Sequence, residues 1–290
     1  MNQYDEKIDL YFELHDTPES SRESYGRRMR SFISYMNDRN LSIEMTTEEN
    51  IQDYILYLKK VRGLSAGTIN NYISSVRFFY TYVLEKEWNP RKVPRMKRPH
   101  AFPVIPSRND VLNLMNTIEN RKHKAIFSLM YGSGLRVSEV ARLKIGDICS
   151  KTMRIRVANA KHNTNRYTIL SEASLLLLRD YFRSEFAGMD YSPGDWLFSG
   201  TTRTHHIHVK TIKNTMIKHR NRLGMDTKVS AHTLRHCFAT HALEDGVDPV
   251  FIQQMLGHKR LQTSLSYLHM TSKSLMGVKS PLDSGRDRPS

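Results

Sequence analysis

The 290-residue chain has only two cysteines, no long apolar run and no grouping of metal-binding side chains, and each shortage closes a class of protein. Cys149 and Cys237 cannot make a disulfide framework, and neither sits in a CxxC or Cys/His cluster that would hold zinc; both read as small buried apolar residues. No segment approaches the ~18 uninterrupted apolar residues that a membrane span requires. The opening MNQYDEKIDLYFELHD is acidic and lacks the basic-then-apolar layout of a secretion signal, so a cytoplasmic location is expected. There is no HExxH, and no close set of Asp and Glu that would hold two magnesium ions. His205, His206 and His208 crowd together, but beside a basic helix they read as loop or phosphate contacts rather than metal ligands.

What the chain has in excess is positive charge. Lys and Arg number 44 against 29 Asp and Glu, a net of +15. The excess is uneven: residues 1–107 carry 16 basic and 14 acidic side chains, so the remainder of the chain holds a net of +13. A charge carried for solubility is normally interspersed, whereas a one-sided field is what a phosphate-binding face produces. The expected partner is nucleic acid.

The length suits two domains rather than one. Residues 90–106 hold five of the ten prolines, and 91–98 hold five basic side chains. Proline fixes φ and lacks an amide donor, so this stretch is expected to run extended as a basic linker. Upstream, residues 1–89 read as a bundle of about four helices, with apolar and aromatic side chains at three and four spacing in 21–40, 47–60 and 65–88. Gly63 and Ser65 mark a helix end and a new start. Nine of the fourteen tyrosines lie here and read as core, while Arg22, Arg27, Arg28 and Arg30 give one helix a basic face.

Downstream the pattern is mixed. Ser107 and Asp110 signal a helix start, and KAIFSLMYGSG is an apolar helix stopped by glycine. Residues 153–159 and 166–170 alternate as a β-hairpin around the polar turn AKHNTN. A helix capped by Ser171, a short strand WLF, a basic helix from His208 and another from Ala231 to Gly246 follow, then two short apolar helices. The tail from Lys279 is polar and expected to be loose. The fold class is therefore mainly α with a small β-sheet: a helical bundle, then an α+β domain over 107–278.

Six side chains in the second domain stand out. His232 and Arg235 share one helix face. Arg136 follows a glycine-rich turn at a helix start, where an anion is favoured and a guanidinium can grip two phosphate oxygens; Glu139, one turn on, could hold it. Lys161 sits in the hairpin turn, His258 directly after a helix, and Tyr267 nine residues later. Singly these read as a surface Arg, a turn Lys, a capping His and a core Tyr. Together they supply what a metal-free phosphodiester exchange requires: cations for a five-coordinate phosphorus, an acid for the leaving oxygen, and a nucleophile. A phenol, with a pKa of about 10, must lose its proton as it attacks, and His232 is the candidate base.

The segments GSGLRVSEVARLKIGDI, HTLRHCFATHALEDGVD and IQQMLGHKRLQTSLSYLH resemble the three motif blocks of the tyrosine recombinases, or phage-integrase family. The likeness runs over nearly the whole chain, including LSAGTINNYISSVRFFY in the first domain. It implies a helical core-binding domain (1–89) and a catalytic domain (107–278). Tyr267 would form a 3′-phosphotyrosyl link, Arg136 and Arg235 would bind the scissile phosphate, and Lys161 would be the general acid. His232 would act as proton acceptor or phosphate ligand, and His258 as a further phosphate ligand. No cofactor, ATP or metal is implied. The hairpin turn departs from the family's common Gly-Lys-Gly, reading Ala160, Lys161, His162. The resemblance further implies double-stranded DNA sites as partners, no membrane, a nucleoid-associated location, and a homo-tetramer on two sites. The segment after Tyr267 either docks on a neighbouring subunit or is a loose tail. A silent DNA-binding protein and a topoisomerase that only nicks and reseals remain alternatives.

Overall fold

Several helices begin where the sequence supplies a side-chain cap. In a computed structural model describing residues 4–97, 103–160, 164–258, 260–265 and 267, the first unit comprises α1 (Asp5–Leu14), α2 (Glu19–Asn37), α3 (Glu48–Lys60) and α4 (Ala66–Phe78). Thr47 and Asn50 cap the start of α3 reciprocally, and Ser65 accepts the Thr68 amide at 3.3 Å. The single helix expected over 65–88 instead widens at Phe79–Val83 into a π-helical turn, which brings Phe79, Tyr80 and Val83 all inward. Glu85, with φ of 56°, then ends it. The aromatic stripes do form the core: Phe32, Tyr54 and Phe79 are fully buried with Ile51, Leu58 and Ile69, and the Tyr54 hydroxyl donates to Ser31 Oγ at 3.0 Å.

The described residues of the basic, proline-rich stretch form no regular element, but residues 92–96 are held to α3 and α4. Val93 is buried, Gln52 donates to the Lys92 carbonyl, and the Asn70 amide clasps the Met96 backbone at both its N–H and its carbonyl. Arg95 donates to Ser74 Oγ at 2.8 Å. The chain divides into its two compact units between residues 101 and 102.

The second unit contains α5 (Arg108–Asn116), α6 (Arg121–Gly132) and α7 (Val137–Ala141), then a three-stranded antiparallel sheet in the order β1 (Ile148–Cys149), β2 (Arg154–Ala160), β3 (Thr164–Ile169). It continues with α8 (Glu172–Phe186), α9 (Val209–Arg222), α10 (Ala231–Glu244), α11 (Pro249–Leu256) and α12 (Leu261–Leu265). Apolar α6 packs against both α8 and α10. Ile155 and Val157 on β2 and Thr168 on β3 face inward while Arg154, Arg156, Tyr167 and Ile169 are exposed, the alternation that defines the hairpin. Strand β1, two residues long, is too short to show a pattern. It leaves Cys149 exposed rather than buried, because the residue sits on the outer strand; Cys237 is buried as expected. WLF is not a strand: Trp196 and Ser199 make only isolated bridges, to Lys144 and His206, while Leu197 and Phe198 anchor in the core. No described helix is long and apolar enough to cross a membrane. Lys161 and the segment beyond Tyr267, where a docking contact is expected, lie outside the described residues.

Candidate active site

The centre of the site is one carboxylate shared by three guanidinium groups. Glu139, in α7, is almost fully buried and receives Arg136 Nη1 at 2.7 Å, Arg166 Nη1 and Nη2 at 2.8 Å each, and the Arg136 backbone amide at 2.8 Å. Arg235 Nη1 lies 3.6 Å from the same carboxylate. Burial alone would raise the Glu139 pKa, but hydrogen bonds and charge from Arg166, then Arg136, outweigh it and hold the pKa at about 2. Three positive charges against one negative leave this cluster with unspent positive charge.

Arg235, on α10, is only 1% exposed. Its guanidinium donates to the Gly134 carbonyl at 2.7 Å and the Leu256 carbonyl at 2.6 Å, so its direction is fixed by backbone. Burial, then the neighbouring Arg136, push its pKa down to about 9, which still leaves it charged at neutral pH. Gly134 has φ of 65°, and a Cβ there would meet Phe238 at 2.5 Å and Leu256 at 2.6 Å; the turn exists only as glycine.

His258 follows Gly257, which caps α11 in the left-handed conformation. Arg235 Nη2 lies 3.3 Å from His258 Nε2. Since an arginine can only donate, Nε2 must be the acceptor, and Nδ1–H then donates to Ser264 Oγ at 2.9 Å. Burial, then the charges of Arg235 and Arg136, hold the His258 pKa at about 4, in accord with a neutral ring.

Tyr267 is 5% exposed, packed with Phe238, Ala239, Ile252 and Leu256. Its ring stacks against that of His258, with centroids 6.1 Å apart. Its hydroxyl lies 3.0 Å from Nδ1 of His236. Burial raises the phenol's pKa, against the lowering charges of Arg235 and Arg136. His232 is exposed; its protein surroundings, then Arg235 and Arg136, lower its pKa, and its ring stands edge-on to that of His236 at 4.6 Å.

The structure thus gathers Arg136, His232, Arg235, His258 and Tyr267, while the sixth residue named from sequence, Lys161, is not among those described. Two participants went unremarked in the sequence. Arg166 occupies the inward register of β3 with Thr168, a place where a charge signals a buried partner. His236 is four residues beyond His232, one helical turn along α10.

Residues 107–274 match the model of the phage integrase family, and residues 6–90 that of the phage integrase N-terminal SAM-like domain. The chain is 35% identical over 240 residues to y4eF of Sinorhizobium fredii, a provisionally named integrase/recombinase, covering 82% of this chain and 93% of that protein. It is 31% identical over 227 residues to the tyrosine recombinase XerA of Pyrococcus horikoshii, covering 77% of each. The crystal structure of a XerA recombinase aligns over 99% of both chains at 27% identity with a TM-score of 0.55. The Tn1549 transposon integrase in complex with transposon right end DNA shares the fold at 17% identity, over 97% of this chain and 96% of that one, with a TM-score of 0.71. The chain belongs to the phage integrase family, that of the tyrosine recombinases, and is a DNA strand-transferring enzyme of site-specific recombination.

Proposed function

We propose that this chain cuts and rejoins double-stranded DNA through a 3′-phosphotyrosyl link to Tyr267. The observation that carries the reading is the surplus positive charge of the Arg136, Arg166, Arg235 and Glu139 cluster beside a buried phenol. A phosphodiester brings one negative charge, and the five-coordinate phosphorus formed on attack brings a second. Guanidinium groups already held in place stabilise that extra charge without reorganising. Arg136, half-buried at the edge of the cluster, and Arg235, locked by two carbonyls, bind the non-bridging oxygens. His232 and His258 border the same phosphate, and Lys161 protonates the departing 5′ oxygen. The bond energy stays in the phosphotyrosine, so a 5′-hydroxyl of a partner strand reseals the break with neither ATP nor metal.

Strand exchange between two duplexes places four copies of the chain on two DNA sites, with the segment after Tyr267 as the contact between subunits. Residues 1–89 serve as the core-binding domain, and the basic stretch through 106 follows the DNA backbone.

The test uses duplexes captured covalently by the wild-type protein from a random-sequence pool, resynthesised as nicked suicide substrates and incubated in EDTA. A protein–DNA adduct that survives denaturation with wild type, and none with Tyr267→Phe at unchanged DNA affinity, is the expected result. Capture of no duplex by a protein that binds DNA would leave a silent binder in its place.

A further inference from the structure

The group hydrogen-bonded to the Tyr267 hydroxyl is His236, at 3.0 Å. It is not His232, the neighbour one turn earlier. Their shared helix explains the division: α10 holds His232 at an exposed position and His236 half-buried, toward the pocket that Tyr267 fills. A buried phenol needs a partner for its proton. With the imidazole proton on Nε2, Nδ1 has a free lone pair facing the phenol.

The groups around His236 favour its neutral form. From α10 it faces His232 and Arg235, from the turn after α11 His258, and from the chain after α12 Tyr267. None of these is a carboxylate that would favour the imidazolium. Burial, then His232 and Arg235, hold its pKa at about 4. The resting pair is therefore a protonated phenol beside an unprotonated imidazole, which is the state a proton transfer must start from. Arrival of a phosphate, with its negative charge, favours the imidazolium.

We propose that His236 is the catalytic residue that takes the Tyr267 proton as the phenol attacks phosphorus. The proposal rests on the reading of Tyr267 as nucleophile. In cleavage the Oη–H bond breaks, its proton passes to His236 Nδ1, and the Oη–P bond forms. The P–O5′ bond breaks, and the 5′ oxygen leaves with a proton from the general acid assigned to Lys161. In resealing, an incoming 5′-hydroxyl attacks phosphorus and gives its proton back to that acid. Tyr267 leaves as a phenol with the proton returned by His236.

The test measures single-turnover adduct formation by the full chain on the captured suicide duplex, with His236→Ala and His236→Asn. The Asn variant keeps a hydrogen-bonding group near the place of Nδ1 but cannot hold a proton, and it carries the comparison if the Ala variant folds poorly. DNA affinity is expected to stay within a few-fold of wild type, while the rate at pH 7 falls ~10²–10⁴-fold. Added imidazole should restore the Ala variant in part. The Asn variant should gain about tenfold in rate per pH unit as the phenol ionises, a slope that wild type lacks above neutrality. The defect should persist on a duplex with sulfur at the bridging 5′ position, which leaves without a proton. A wild-type rate in the Asn variant would overturn the proposal, leaving His236 a positioning residue. So would recovery on the sulfur substrate, which would place its role at the leaving group. Absence of any adduct with wild type would instead remove the Tyr267 reading, and this one with it.

Discussion

Glu139 and Arg166 meet in a two-point ion pair, each guanidinium nitrogen 2.8 Å from its own carboxylate oxygen, with both side chains less than a tenth exposed. Arg166 also donates Nε to the Met255 carbonyl at 2.8 Å, so a strand residue ties the sheet to the end of α11, directly before the carbonyl that receives Arg235. Breaking a buried pair by removing one partner leaves an uncompensated charge. Arg166→Ala should destabilise the second unit by about 3–5 kcal/mol. Arg166→Lys should recover only part, because a point charge cannot span two oxygens and a carbonyl. Urea unfolding followed by tryptophan fluorescence and circular dichroism checks both.

The same carboxylate sets an acid limit. Its folded pKa of about 2 lies below the ordinary value of 4.5, so its stabilisation is complete above pH 4.5 and is lost as pH falls toward 2. The shift corresponds to about 3 kcal/mol. Glu139→Gln should be much less stable than wild type at pH 6, with the gap narrowing between pH 4.5 and 2. Unfolding free energies measured across that range decide it; a gap independent of pH would mean that the carboxylate's charge is not what matters.

The residues that surface in the motif blocks were legible because each sits at a helix start, a turn or a helix face, where local sequence sets position. Arg136 at the start of α7, Arg235 three beyond His232, and His258 after a left-handed glycine needed no tertiary information. The link between Glu139 and Arg136 was legible for the same reason, being one helical turn long. Arg166 was not, since its partner is 27 residues away and only the pairing of β3 with the rest of the unit shows which face it takes. His236 looked like a second histidine on an ordinary helix until Tyr267 was placed against it. The π-helical turn at Phe79 was hidden too, because one extra residue in a helix barely disturbs its apolar period. Cys149 was misread as buried because burial was inferred from residue type; strand β1, which exposes it, is set by pairing with β2 alone.

Gly134 gives a sharp test of how the arginine pair is held. Alanine there combines a left-handed backbone with collisions at 2.5–2.6 Å against Phe238 and Leu256. Both neighbours belong to the small core around Tyr267, and the Gly134 carbonyl is a ligand of Arg235. Gly134→Ala should cost about 2–4 kcal/mol and lower the rate of adduct formation more than Gly188→Ala, at a left-handed glycine with open space around it. Thermal melting and the suicide-substrate assay, run on both variants, check this.

The arginines of the cluster should differ in how they respond to salt. The Arg136 guanidinium meets Glu139 through Nη1 alone and the side chain keeps about a quarter of its surface accessible to an incoming phosphate, whereas Arg166 commits Nη1 and Nη2 to Glu139 and Nε to a carbonyl. For a chain whose second half carries a net of +13, contacts to 6–10 phosphates would lower DNA affinity ~10³–10⁵-fold between 50 and 200 mM salt. Arg136→Ala should reduce the slope of log affinity against log salt by about 1 and weaken all sequences alike. Lys97→Ala, in the basic stretch, should do the same if that stretch follows the backbone. Fluorescence anisotropy titrations at four salt concentrations measure the slopes. An unchanged slope with Arg136→Ala would mean that its guanidinium stays on Glu139 when DNA binds, and that Arg235 alone meets the phosphate.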